Sequence, residues 1–378
     1  MTAAPPGFLM TVLSFIAVIA PLVFVHELGH YLVGRWFGVK ADAFSIGFGR
    51  EIFGWTDKRD TRWKLGWLPL GGYVKFAGDM NPASTPTDDW LALPPAERAQ
   101  TFQSKTLLQK ALIVAAGPAT NFLVALIIFG AFFAAFGVPR TSARIGGFEQ
   151  GSPAATAGLA QGDLIKSIGG RRIDDYDDLK RFVVLRPNRR VDILAERAGR
   201  DVLLPVTIGE MVMVDRFGQR TSFGKLGVMS GRPISEPVPA LQIPGEAIKH
   251  TAAMVELLVD SLGQIITGAR PIAEMGGPLK IAQYSGEQVA SGWLSFAEFV
   301  ALISINLGFI NLLPIPMLDG GHLTFYAIAA VRRRPISPRV LDWSFRGGLA
   351  LLLGLMLVVT FNDLASFGLF SKLGGLIG

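Results

Sequence analysis

The sequence predicts a polytopic α-helical membrane protein with four transmembrane segments and one β-rich domain inserted between the second and third. Half of its 378 residues are hydrophobic and only 17% are charged, too apolar a balance for a soluble globule of this size. Four stretches are long and apolar enough to approach a hydrocarbon core of ~30 Å. From Ala143 to Gly209 the pattern changes to short runs with period-two alternation, the mark of strands rather than spans.

The first span is expected from Phe8 to Val33. It lacks a basic n-region and an obvious small-residue cleavage site, so it reads as a retained helix and not a removable signal peptide. Trp63, Leu65, Trp67, Leu68 and Leu70 follow in a stretch too short to span and punctuated by Pro69, Gly71 and Gly72, which suits an interfacial hairpin. Asp79 to Thr101, rich in Pro, Asp and Ala, reads as a loop. The second span is expected from Ala111 to Phe136.

Within the insert, Ala143 to Phe148 and Asp163 to Ile168 read as strands and Asp178 to Leu185 as a helix. Val191, Ile193, Ala195 and then Val202, Leu204, Val206 alternate as a strand pair. From Gly245 to Ser291 the chain is amphipathic, which predicts a helix on the outer membrane face or against the spans. The third span begins near Phe296 and is interrupted at Pro314 and Pro316; the fourth covers about Gly347 to Phe361 and needs its flanks to reach full length. The expected divisions are residues 1–140, 141–210, 211–295 and 296–378.

The formal net charge of +6 does not point to nucleic acid, because the basic residues gather beside the apolar segments. Arg35 and Lys40 follow the first span, Lys105 and Lys110 precede the second, and Arg332, Arg333, Arg334, Arg339 and Arg346 precede the fourth. By the positive-inside rule these loops are cytoplasmic and both termini lie outside. The chain contains 0 Cys, which excludes disulfides and thiolate metal ligands.

His26-Glu27-Leu28-Gly29-His30 lies inside the first span. Histidines four apart project from one helix face and can share a metal ion, and the Glu between them can serve a water as general base. Ionisable groups at membrane depth cost several kcal/mol unless paired or ligating, so the setting favours a metal site and hydrolysis within the bilayer. At ~1.5 Å per residue from Phe8, His26 falls roughly 27 Å along the helix, toward its cytoplasmic end. A second cluster, Asn311 to His322, offers Asp319 as the third ligand with His322 as a rival. Pro314 and Pro316 break the helix there, which membrane depth tolerates where the backbone lines a cavity. His and carboxylate ligands suit zinc, and also cobalt, iron or nickel.

His26 to His30, Leu68-Pro69-Leu70-Gly71-Gly72-Tyr73-Val74-Lys75, Ala116-Gly117-Pro118-Ala119-Thr120-Asn121-Phe122 and Asn311 to His322 together resemble the site-2 protease family (peptidase family M50), of the bacterial regulator-of-sigma-E protease type. The resemblance implies an intramembrane zinc metalloendopeptidase with one Zn2+ per chain held by His26, His30 and Asp319, and with Glu27 as catalytic base. It implies that Asn311, Gly71 and Gly72 position substrate, the last two in a membrane re-entrant β-loop. It further implies a multi-pass protein of the bacterial inner membrane, its site nearer the cytoplasm. The implied function is regulated intramembrane proteolysis of single-span membrane proteins such as anti-sigma-factor-like proteins or remnant signal peptides.

Gly151-Ser152-Pro153-Ala154-Ala155, Ala157-Gly158-Leu159 and Gly162 to Ile165 resemble a PDZ domain of the bacterial protease type. That implies an outer-side domain that captures a peptide ligand by strand addition, with Ala157, Gly158 and Leu159 as candidate contacts, or one that acts as a size filter. Two other readings compete. A catalytically silent membrane scaffold with a peptide-binding PDZ-like domain need not retain His, Glu, His and Asp together. A metal transporter would more often repeat its ligands along a pathway.

Overall fold

The computed structural model describes residues 7–78, 90, 92–214, 220–231, 234–268 and 276–366. In chain order its elements are α1 (Phe8–Trp36), β1 (Ala41–Thr56), β2 (Arg62–Phe76), α2 (Pro95–Arg98), α3 (Leu107–Phe136), β3 (Val138–Arg140), β4 (Ile145–Phe148), α4 (Pro153–Thr156), β5 (Leu164–Ile168), β6 (Arg171–Arg172) and α5 (Tyr176–Val184). They continue as β7 (Arg190–Arg197), β8 (Arg200–Thr207), β9 (Gly209–Val214), β10 (Arg220–Lys225), β11 (Val228–Ser230), β12 (Ile234–Glu236), α6 (Ile243–Ile266), α7 (Pro278–Ser291), α8 (Trp293–Asn311), α9 (Asp319–Arg332) and α10 (Pro338–Ser366).

Among the described residues four helices are long and apolar enough to cross a membrane: α1, α3, α8 and α10. The helices α3 and α10 start earlier than their apolar stretches, because Lys110, Arg339, Asp342 and Arg346 extend them beyond the hydrophobic part. Most of the expected loop from Asp79 lies outside the described residues; its end, from Ala92, carries the single turn α2. The chain divides into two compact units, residues 1–129 with 275–363, and residues 130–274 with 364–378.

In the first unit, α1 and α3 approach closely at small residues. A Cβ on Gly29 would meet Thr120 Oγ1 at 2.7 Å, and the Thr120 hydroxyl donates to the Val25 carbonyl at 3.1 Å. The β1–β2 hairpin folds back on itself. Ala43, Phe44, Ser45 and Ile46 each pair twice, with Lys75, Val74, Tyr73 and Gly72 on one side and with Arg62, Trp63, Lys64 and Leu65 on the other. Stacking of Phe44 on Trp63 at 4.4 Å and edge contacts from Tyr31 dock this sheet on α1. Its far end and outer edge expose Phe48, Ile52, Phe53, Trp55 and Trp67.

The carboxylate of Asp363, fully buried in α10, accepts the Gly277 and Lys280 amides at 3.1 and 3.3 Å and so caps the start of α7. That helix packs along α1. The α8 helix ends at Asn311, and a tight turn with Met317 at φ 83° leads to Asp319 at the start of α9.

In the second unit an antiparallel sheet of order β6-β5-β7-β8 packs under α5 around Ile165, Ile168, Leu179, Ile193 and Val206. Asp175 and Asp178 form a capping box that starts α5 at Tyr176, two residues ahead of the expected Asp178. Buried Asp163 receives both guanidinium contacts of Arg197 at 2.7 and 2.8 Å, and those bonds hold its carboxyl below the usual carboxylate range.

Two expectations change here. The insert does not close at residue 210: β9 pairs with β10, β11 with β4 and β12 with β3, so β structure continues to Glu236. Strands of three residues carry too little alternation to be legible. Nor is Gly245 to Ser291 one amphipathic element. It holds two helices, and α6 turns its charged face to the insert through Arg140–Glu246, Arg171–Glu256 and Arg186–Asp260.

Candidate active site

Three elements of the first unit bring the site together. One face of α1 presents His26, Glu27 and His30, and the N-terminus of α9 presents Asp319. His26 Nε2 and His30 Nε2 lie 3.2 Å apart, and Asp319 Oδ2 stands 3.2 and 3.5 Å from them. Two imidazole nitrogens facing each other at that distance beside a carboxylate are placed to share a cation. The spacing is that of a tetrahedron: bonds of ~2.0–2.1 Å give ligand separations of about 3.3–3.4 Å. The residues therefore fit a zinc ion. His26 and Glu27 are almost fully buried.

Hydrogen bonds behind the rings, from α3, fix their orientation. The Ile113 carbonyl accepts from His30 Nδ1 at 2.9 Å, which leaves Nε2 as the free lone pair. Asn121, fully buried on α3, places its carboxamide 3.0 Å from His26 Nδ1, while its Oδ1 has no partner. Turning that amide by 180° sets Oδ1 against the His26 Nδ1–H and gives His26 the same ligand-ready form as His30. Ser304 donates to the Asn121 carbonyl at 2.8 Å and braces it from α8. Asn121 belongs to the Ala116 to Phe122 motif, but the sequence shows no role for it. Asn121→Ala is expected to weaken metal affinity by about 10–100-fold with the fold retained, read by competition with a metal indicator. Undiminished affinity would remove it from the site.

His26, Glu27, His30 and Asp319 line a cleft of about 370 Å³. Gly71, Gly72 and Asn311 also line it, so the structure brings them to the ligand cluster. A Cβ on Gly72 would meet Ser45 O at 2.7 Å and Glu27 Cγ at 3.0 Å, so only glycine lets this strand lie on the Glu27 side chain. His322 also lines the cleft but is absent from the ligand group; its ring packs on Phe345 at 4.8 Å.

Ala157, Gly158 and Leu159 are not among the residues that line the groove of about 350 Å³ in this unit. Ser152 caps α4 and Gly158, at φ 94°, turns the chain so that Leu159 enters the core. That groove lies between α5 and the β9–β11 segment, beside Leu179, Val183, Phe223 and Gly227.

Comparison with known proteins agrees with this geometry. The family model Peptidase family M50 matches residues 14–355. A protein of Agrobacterium fabrum whose name carries the words zinc metalloprotease is 39% identical over 369 residues, covering 96% of this chain and 98% of that protein. One of Rhizobium meliloti with the same words in its name is 40% identical, covering 94% and 96%. Metalloprotease MmpA of Caulobacter vibrioides is 37% identical, covering 98% and 99%. Among solved structures, the PDZ domain of the SdrC-like protein of Listeria innocua is 16% identical, covering 25% of this chain and 99% of that one, with a TM-score of 0.20. With a family model across the chain, full-length relatives and a buried two-histidine, one-carboxylate centre beside a glutamate, this chain belongs to peptidase family M50 and is a zinc metalloprotease.

Proposed function

We propose that the chain works within the bilayer, hydrolysing a peptide bond in or near the membrane span of single-span proteins in regulated intramembrane proteolysis. The observation that carries this reading is the convergence of His26, His30 and Asp319 beside Glu27, with both histidines on a helix able to cross a membrane. His26, His30 and Asp319 hold one zinc ion. When bound, the metal polarises the scissile carbonyl and acidifies the attacking water. Glu27 takes the proton of that water at its carboxylate and delivers it to the leaving amide nitrogen.

Asn311 orients the substrate from the end of α8. The strand from Gly72 to Phe76 pairs with β1 along one side, which leaves its cleft side to receive an unwound substrate as an added strand. The apolar far end of the hairpin supports its re-entry into the membrane. Lys and Arg placement supports an inner-membrane orientation with the β-rich unit and both termini outside and the active centre nearer the cytoplasm. A peptide ligand of the β-rich unit belongs in the groove beside α5. The substrate class, anti-sigma-factor-like proteins or remnant signal peptides, follows from the family resemblance.

The test is cleavage of a single-span model substrate by the purified chain in detergent, with and without chelator. Cleavage inside the span that stops with chelator and returns with zinc is expected. Undiminished cleavage in strong chelator overturns the metal role, and cuts confined to soluble flanks overturn the intramembrane role.

A further inference from the structure

The first unit holds a second and larger cavity, about 670 Å³, that the proteolytic reading does not use. Its walls are Leu107 of α3, Phe325 and Ala329 of α9, and Leu341 and Phe345 of α10. These walls are apolar, whereas the mouth carries Arg333 and Arg334, both exposed. Among the described residues no carboxylate pairs with either arginine, in contrast to nearby Arg346, which pairs with Asp342 at 3.0 Å. Lys110, which donates to Gln103 at 3.4 Å, adds a third cation at the rim.

The cavity also lies at a telling height. Its walls include the first turns of two spanning helices, α3 at Leu107 and α10 at Pro338, where a membrane helix leaves the hydrocarbon for the headgroup layer. An apolar chamber with Arg333 and Arg334 at its mouth at that height matches an amphiphile with one negative head. A soluble phosphate has no use for the apolar walls, and a zwitterionic lipid brings its own cation to the arginines.

We propose that this cavity binds an anionic phospholipid, with the phosphodiester at Arg333 and Arg334 and an acyl chain along Phe325, Ala329 and Leu341. The site borders the catalytic cleft, since His322 and Tyr326 line both. A lipid seated there packs against α9, the helix that starts at Asp319.

Native mass spectrometry of the full chain in detergent tests this, with phosphatidylglycerol and phosphatidylcholine of identical chains titrated separately. Phosphatidylglycerol is expected to bind tighter than phosphatidylcholine. At ~1 kcal/mol per basic residue, the double variant R333Q/R334Q loses roughly 30-fold in phosphatidylglycerol affinity. Ala329→Trp, which fills the chamber, is expected to weaken both lipids. Zinc content reports that each variant is folded. Equal binding of the two lipids, or a headgroup preference that survives R333Q/R334Q, overturns the proposal. Displacement of the lipid by equimolar glycerol 3-phosphate also overturns it, assigning the arginines to a soluble phosphoester. The readout is binding, so the result is independent of whether the chain cleaves any given substrate.

Discussion

Glu27→Gln is expected to keep the metal and lose hydrolysis, by about 10²–10⁴-fold in turnover, the range general base catalysis supplies. The carboxamide matches the carboxylate in size, so the α1 face and its contact with the Gly72 strand persist, but the amide cannot accept the proton of the attacking water. None of the ligating atoms belongs to Glu27, whose neighbours on the helix are His26 and His30. Single-turnover cleavage of a single-span substrate, measured beside zinc content, separates the outcomes. Turnover within tenfold of wild type would mean that Glu27 is not the base. Lost zinc would instead make its role structural.

Gly117→Ala is expected to be as damaging by a different route. A Cβ at this α3 position would stand on His30 Nε2 and 2.9 Å from His26 Cε1. Separating the helices to make room would break the close packing of Gly29 of α1 on Ala116 and Thr120 of α3 and the Thr120 bond to the Val25 carbonyl. The imidazoles must therefore turn, and His30 loses its bond to the Ile113 carbonyl. Zinc affinity is expected to fall by at least the 10–100-fold typical of a lost supporting bond, with about 1–3 kcal/mol of overpacking strain. Gly130→Ala on the same helix is the control: its nearest neighbour, Ile243 Cγ2, is 3.7 Å away, and its zinc affinity stays normal. Normal zinc affinity in Gly117→Ala would show that the rings are not held as described.

What the sequence made legible follows from how locally each feature is encoded. His26 and His30 sit one helical turn apart, so their convergence is a property of α1 alone, and Asp319 stood out through the broken helix before it. Asn121 and Gly117 act across the α1–α3 contact, and Asn121 is 95 positions from its histidine. No periodicity records such a partnership. The four spans were legible from length and apolarity, with ends displaced wherever charged residues continued a helix. The double pairing of residues 43–46 and the short strands that close the β-rich unit depend on long-range pairing and left no pattern. Leu159 was misplaced because a loop motif does not reveal which way its last side chain turns.

The ligand set also imposes an order on biosynthesis. His30 and Asp319 are 319 − 30 = 289 positions apart, and at about 5–20 residues per second the ribosome needs roughly 15 to 60 s to bridge them. The first helix thus waits in the membrane with two histidines and a glutamate but no third ligand. The amide groups that open α7 wait a shorter stretch, 86 and 83 positions, until Asp363 arrives on the last span. A nascent chain therefore holds an incomplete ligand set until Asp319 is made, just ahead of the final span.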